Sequence, residues 1–238
     1  MTHQVLPIPY WLFLWIFSFA CIALFTFIVV YNWDYKHRGT NYSMLTFVNI
    51  VFGVVVLGLK FWMAVQASRF FVEAWRVGAL ELLLASPLPE RIIIRGQWSA
   101  LARLFFVPAT LVIVTQGVFG FLQMREMLGM NGVLPRQFFS LEGQFVTTLV
   151  HIAVTLADLT ALAWFGMWMG LTTRRPNIAV LKTVLFVLAI PWFASLFAQG
   201  YLMFLISWAS WPFWITTFFV GGLMIAKDIF FIVWAMRN

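Results

Sequence analysis

The chain has 238 residues, of which 63% are hydrophobic and only 10% charged, with a mean hydropathy of +0.94. Soluble domains carry roughly a quarter charged residues, so this composition excludes one and marks an integral membrane protein. The formal net charge of +7 does not point to nucleic acid, because the basic residues stand singly between apolar runs rather than in a stripe with stacking aromatics. The single cysteine, Cys21, excludes an intrachain disulfide and a thiolate metal cluster.

A helix needs roughly 20 apolar residues to cross the hydrocarbon core. Six stretches meet that demand: about 10–31, 44–67, 98–122, 145–171, 178–197 and 211–236. The first follows a stretch with no basic region and contains no small-residue cleavage site, so it is expected to be a retained span rather than a signal peptide. Six spans place both termini on one side. The segment after the second span carries Arg69, Arg76, Arg91, Arg95 and Arg103, the loop after the fourth carries Arg174 and Arg175, and Arg237 lies at the end. The opposite loops hold only Lys36, Arg38, Arg125 and Arg136, so the positive-inside rule puts the Arg69 segment and both termini in the cytoplasm. No internal repeat or composition shift divides the chain, and 1–238 reads as one transmembrane domain.

Pro108 and Pro191 fall inside the third and fifth spans, where a kink is tolerated if a neighbour or water satisfies the freed carbonyl. The connection 123–144 contains Gly129, Gly132 and Pro135 and is expected to be irregular. The stretch 198–212 spaces Tyr201, Phe204, Trp208 and Trp211 among small and polar residues. It fits a re-entrant or interfacial element, or an ordinary aromatic belt.

Lys60, His151, Asp158, Lys182 and the adjacent Lys227 and Asp228 sit within spans, where ionisable groups are costly and invite a functional explanation. Each lysine lies on the order of 10 Å from the cytoplasmic end of its span, close enough to snorkel. Asp158 has no such escape in the middle of the fourth span, about two turns beyond His151 on the same face. It is expected to stay protonated or to bond a neighbouring helix, with His151 as candidate partner; a substrate-contacting or proton-relay role is the sharper alternative.

The chain carries no Gly-x-x-x-x-Gly-Lys-Ser/Thr phosphate loop and no His-Glu-x-x-His pair. His3, His37 and His151 are too dispersed to predict a zinc site, and no polar cluster surrounds a nucleophile. The chain is therefore expected not to be an enzyme by itself and to hold no cofactor or metal. If energy drives it, another subunit supplies that energy.

The stretch 69–97 is too charged for lipid and too apolar to float free. Near 100° per residue, Arg69, Glu73 and Arg76 share one stripe while Phe71, Trp75, Leu82 and Leu83 turn elsewhere, which predicts an amphipathic helix. Arg69 and Glu73, and Glu73 and Arg76, are spaced to pair. Pro87 and Pro89 end the helix, and 90–97 forms a short basic elbow. Glu73, Glu81 and Glu90 interleave with the arginines, which suits a protein groove better than the anionic lipid surface favoured by interfacial helices.

The order Glu73, Arg76, Gly78, Leu80, Glu81, Leu83, Leu84, Pro87, Ile93, Gly96 resembles the cytoplasmic loop of ABC-2 type permeases, the membrane subunits of a large group of ABC exporters. Ala79 stands where threonine is usual in that family and Gln97 where lysine is usual. A second patch, Phe165-Gly166-Met167-Trp168-Met169-Gly170-Leu171 followed by Arg174 and Arg175, is similar to the family's junction between spans four and five.

The resemblance implies an all-α polytopic fold with six transmembrane helices and a cytoplasmic amphipathic coupling helix between the second and third. It implies a permease subunit in a bacterial plasma (inner) membrane, paired with a second permease subunit as a homo- or heterodimer, and driven by a separate ABC ATPase subunit that holds the ATP. Glu73, Arg76 and Glu81 would dock on that ATPase, Trp75, Leu80 and Leu83 would fill its groove, Gly78 would permit close backbone approach, and Pro87 would begin a stiff connection to the spans. Family members generally begin with a longer amphipathic helix than 1–9 offers. Two other readings stay open. One is a non-transporting membrane scaffold or anchor subunit. The other is an ion- or proton-coupled carrier using Asp158 and His151, against which stands the lack of half-to-half similarity. The aromatic-rich spans suit an amphipathic or lipid-linked cargo, although the 27 phenylalanines serve lipid contact and packing equally well.

Overall fold

The computed structural model describes residues 42–78, 81, 90–129, 141–173, 175–209 and 213–237. The first expected span, 10–31, lies outside them, as do Leu80, Leu83 and Pro87. The described residues are helical: α1 (Tyr42–Arg76), α2 (Glu90–Gly129), α3 (Leu141–Thr172), α4 (Pro176–Val184), α5 (Ile190–Ala209) and α6 (Phe213–Arg237), with a π turn, Leu185–Ala189, joining α4 to α5. Five stretches are long and apolar enough to cross a membrane: Ile50–Arg76, Ile92–Met124, Gly143–Thr172, Pro176–Leu202 and Ile215–Arg237. The second to sixth expected spans each overlap one of them. The chain is an all-helical integral membrane protein over its described residues.

Helix reaches further than expected in two places. The stretch 198–209 continues α5 without interruption to Ala209, because only Gly200 in it disfavours helix and one glycine costs about 1 kcal/mol. Tyr201 and Phe204 are exposed on this helix, so a separate re-entrant element is not formed there. Likewise α2 runs on to Gly129 and α3 begins at Leu141, which narrows the irregular connection to 130–140, outside the described residues. With 35 and 40 residues, α1 and α2 exceed the roughly 30 Å of hydrocarbon at about 1.5 Å per residue, so each tilts or projects beyond it.

α3 is the hub, packing against α1, α2, α4 and α6. Ala161, Leu162 and Ala163 are all fully buried, which on a helix means neighbours on every side. Small residues make this possible, since lipid supplies no hydrophobic drive and membrane helices gain by close van der Waals contact. Gly166 and Gly170 form a Gly-x-x-x-Gly ridge pressed on α1. A Cβ at Gly170 would lie 2.6 Å from the Ser68 carbonyl oxygen, and one at Gly166 would lie 2.8 Å from the Ala67 methyl. The patch that resembles a family junction thus has a packing reason of its own. At the other end of α3, a Cβ at Gly120 of α2 would strike Thr148 and one at Gly221 of α6 would strike Val150.

These contacts define two ends. One gathers Arg69, Arg76, Arg95, Arg175 and Arg237, with Trp98 stacked on Trp164 at 5.4 Å and Trp168 tilted against Trp234 at 4.3 Å. The other is marked by Gln144, whose amide donates to Gln123 at 2.5 Å.

Candidate functional site

At the arginine end, α1 finishes in a two-faced ledge. Phe71 and Val72 are buried against the bundle, while Glu73, Trp75 and Arg76 are exposed, Trp75 by 40%. The helix does not run on toward Leu84 as one piece. It stops at Gly78, whose φ of +73° is left-handed, and the Val77 and Gly78 amides close the last turn on the Glu73 and Trp75 carbonyls. Glycine is favoured there because it has no Cβ to strain the turn. Among the described residues nothing lies within 4 Å of a Cβ built at Gly78, so within the chain this glycine serves the turn. Glu81 is exposed beyond the turn. Neither Arg69 with Glu73 nor Glu73 with Arg76 forms an ion pair; among the described residues the ion pairs are those around Asp158 and Asp228. Both partners at the ledge are exposed, where solvated charges gain little from pairing.

Deep in the bundle the opposite holds. Asp158 sits halfway along the Gly143–Thr172 span and is buried. Lys60 of α1 donates to Asp158 Oδ2 at 2.5 Å, and Lys227 of α6 donates to Oδ1 at 2.7 Å. One carboxylate of the central helix therefore ties three helices together. Lys227 also lies 2.6 Å from Asp228, which is 0% exposed and whose oxygens accept no hydrogen bond among the described residues. The expected snorkelling of Lys60 and Lys227 is overturned: both turn inward, because a carboxylate without a counter-charge at this depth is costlier than a bent lysine stem. Lys182 is exposed and carries no such ion pair. The expected His151 partner is also displaced. Asp158 has two ammonium donors instead, and His151 opens into a cavity.

Lys227 makes a second hydrogen bond, 2.8 Å to the Val187 carbonyl in the π turn. The sequence explains why that carbonyl is available. Pro191 stands four residues on and has no N–H, so the ordinary helical bond to Val187 cannot form. The π turn shifts the neighbouring pattern by one, with the Ile190 amide bonded to the Leu185 carbonyl. The condition set by Pro191 is thus met by a lysine from another helix.

Above the cluster, toward the glutamine end, α1, α2 and α3 line an open-sided cavity of about 460 Å³. Lys60, His151 and Gln116 line it together with Phe52, Phe119 and Trp192. Thr155 donates to the His151 carbonyl at 2.9 Å and accepts from Gln116 Nε2 at 3.0 Å.

The structure brings Asp158 together with Lys60 and Lys227, and places His151 above them. It gathers Glu73, Trp75 and Arg76 on the α1 ledge. Sequence reasoning missed the lysine clamp, although one signal was present: lysines and carboxylates both occur inside the spans, at Lys60, Lys182, Lys227, Asp158 and Asp228, which favours pairing. No family model, curated protein or solved structure matches this chain.

Proposed function

We propose that the chain is the permease subunit of an ATP-driven exporter of the ABC-2 type, coupling hydrolysis by a separate ATPase subunit to movement of a substrate across the membrane. The supporting observation is the mechanical continuity of α1. Its exposed Glu73, Trp75 and Arg76 lie less than three turns from Ala67 and Ser68, which are clamped on Gly166 and Gly170. A partner pushing on the ledge therefore pushes on the hub helix, because close-packed contacts transmit displacement rather than absorb it. Glu73, Arg76 and Glu81 supply the polar contacts and Trp75 the apolar anchor in this reading. The partner permease subunit, the bacterial inner membrane and cytoplasmic termini belong to the same proposal.

The test is Glu73→Lys combined with Glu81→Lys. Both side chains are exposed, so the protein should insert and unfold at the wild-type temperature while substrate-stimulated ATP hydrolysis in the purified complex disappears. Undiminished stimulation by the doubly substituted chain would refute the docking role.

A further inference from the structure

The cavity between α1, α2 and α3 has a wall chemistry that selects among ligands. Thr147 donates its hydroxyl hydrogen to the Gly143 carbonyl at 2.8 Å, and Thr148 donates to Gln144 at 2.9 Å. A hydroxyl has one hydrogen, so both oxygens can offer the cavity only lone pairs. Thr155 is committed in the same way to His151, which obliges Gln116 to approach it through the amide nitrogen and leaves the buried Gln116 carbonyl oxygen without a donor. Gln123 already accepts from Gln144. Donors remain at Lys60, at His151 and on the glutamine amides. Among the described residues no acidic side chain lines the space, and the Lys60 and Lys227 ammonium groups are paired with Asp158 and Asp228.

An anion brings lone pairs alone and would face the threonine oxygens with no net positive charge to hold it. A cation would find no free carboxylate among the described wall residues, Asp158 being held by Lys60 and Lys227. A hydroxyl both donates and accepts, and so satisfies either kind of wall group. Phe52, Leu57, Phe119 and Trp192 supply apolar surface, and the volume falls in the range of small-molecule sites. We infer that this cavity binds an uncharged, hydroxyl-bearing amphiphile, its hydroxyls on Thr147, Thr148, Lys60 and His151 and its hydrocarbon on Phe52, Phe119 and Trp192. The site does not depend on an ATPase, so it can be tested on this chain alone and can fail without touching the coupling proposal.

The probe is monooctanoylglycerol, compared with its dimethyl ether, which keeps the acceptors and loses the donors, and with octyl phosphate. The full chain carries Cys21→Ser and Leu57→Cys, the latter an exposed apolar position on the cavity wall. It is reconstituted in nanodiscs and labelled with a small methanethiosulfonate. Monooctanoylglycerol should slow labelling saturably, at concentrations roughly tenfold below those needed for the ether or the phosphate. A Leu223→Cys control, exposed on α6 and outside the cavity, should show no difference between the three. Thr147→Val should shrink the advantage of the diol several-fold while leaving protection by the ether unchanged. Equal protection by all three compounds, or preference for the phosphate, would overturn the inference even if the Thr147 variant did not fold.

Discussion

The α1 ledge and the Asp158 cluster each combine acidic and basic side chains and behave oppositely. At the ledge, Glu73 and Arg76 stand exposed and unpaired at spacing that would let them meet. In the bundle, Asp158 draws Lys60 and Lys227 from two other helices although 98 and 69 residues of sequence separate them. The difference is solvation. Water screens the ledge charges and leaves them available to a partner, whereas a buried charge must find its counter-ion inside the fold. Charges at the ledge are therefore read as contacts to come, and charges in the bundle as contacts already made.

That contrast is broken most severely at Asp158. Asp158→Asn should destabilise the chain by about 3–5 kcal/mol, because it leaves the part-buried Lys60 ammonium without a carboxylate and Lys227 with Asp228 alone. Thermal unfolding in detergent measures this, and adding Lys60→Met should recover part of the loss. An unchanged unfolding temperature would mean that the cluster does not hold the helices together. Gly170→Ala comes next. Its Cβ would meet the Ser68 carbonyl oxygen at 2.6 Å, and forcing α1 from α3 should cost about 1–3 kcal/mol in the same assay. If the ledge acts through this contact, transport should fall while ATP binding to the partner stays intact.

A finer test concerns the lysine bond to the π turn. Pro191→Ala restores the donor that Val187 lacks, so Lys227→Met should cost about 1 kcal/mol less in that background than alone. Simple additivity in this double-mutant cycle would separate the π turn from the lysine. The smallest effect is expected at Gly78→Ala, about 1 kcal/mol from the left-handed φ, with no loss of contact because nothing lies nearby.

Much of the fold was legible in the sequence because hydropathy over a membrane length is a local property. The second to sixth spans needed no knowledge of their neighbours. Gly78 was singled out, and the backbone adds a reason the sequence did not offer, a left-handed φ that turns the chain. The Pro191 condition was also readable, but its solution was not, since Lys227 lies 40 residues beyond Val187 in sequence. Depth in the span misled the reading of Lys60 and Lys227. Proximity to an interface permits snorkelling, but which way a lysine bends depends on a carboxylate that only packing brings near. The cavity was illegible for the same reason: its threonines look like ordinary helix residues until their hydroxyls are traced to carbonyls one turn back.

The most direct test of the coupling claim is a photo-crosslinking residue in place of Trp75, activated in native membranes. The account predicts an adduct with an ATP-hydrolysing subunit on the cytoplasmic side, lost when Glu73 and Glu81 are both changed to lysine. An adduct with lipid alone, or labelling of position 75 by a reagent confined to the outer side, would contradict it.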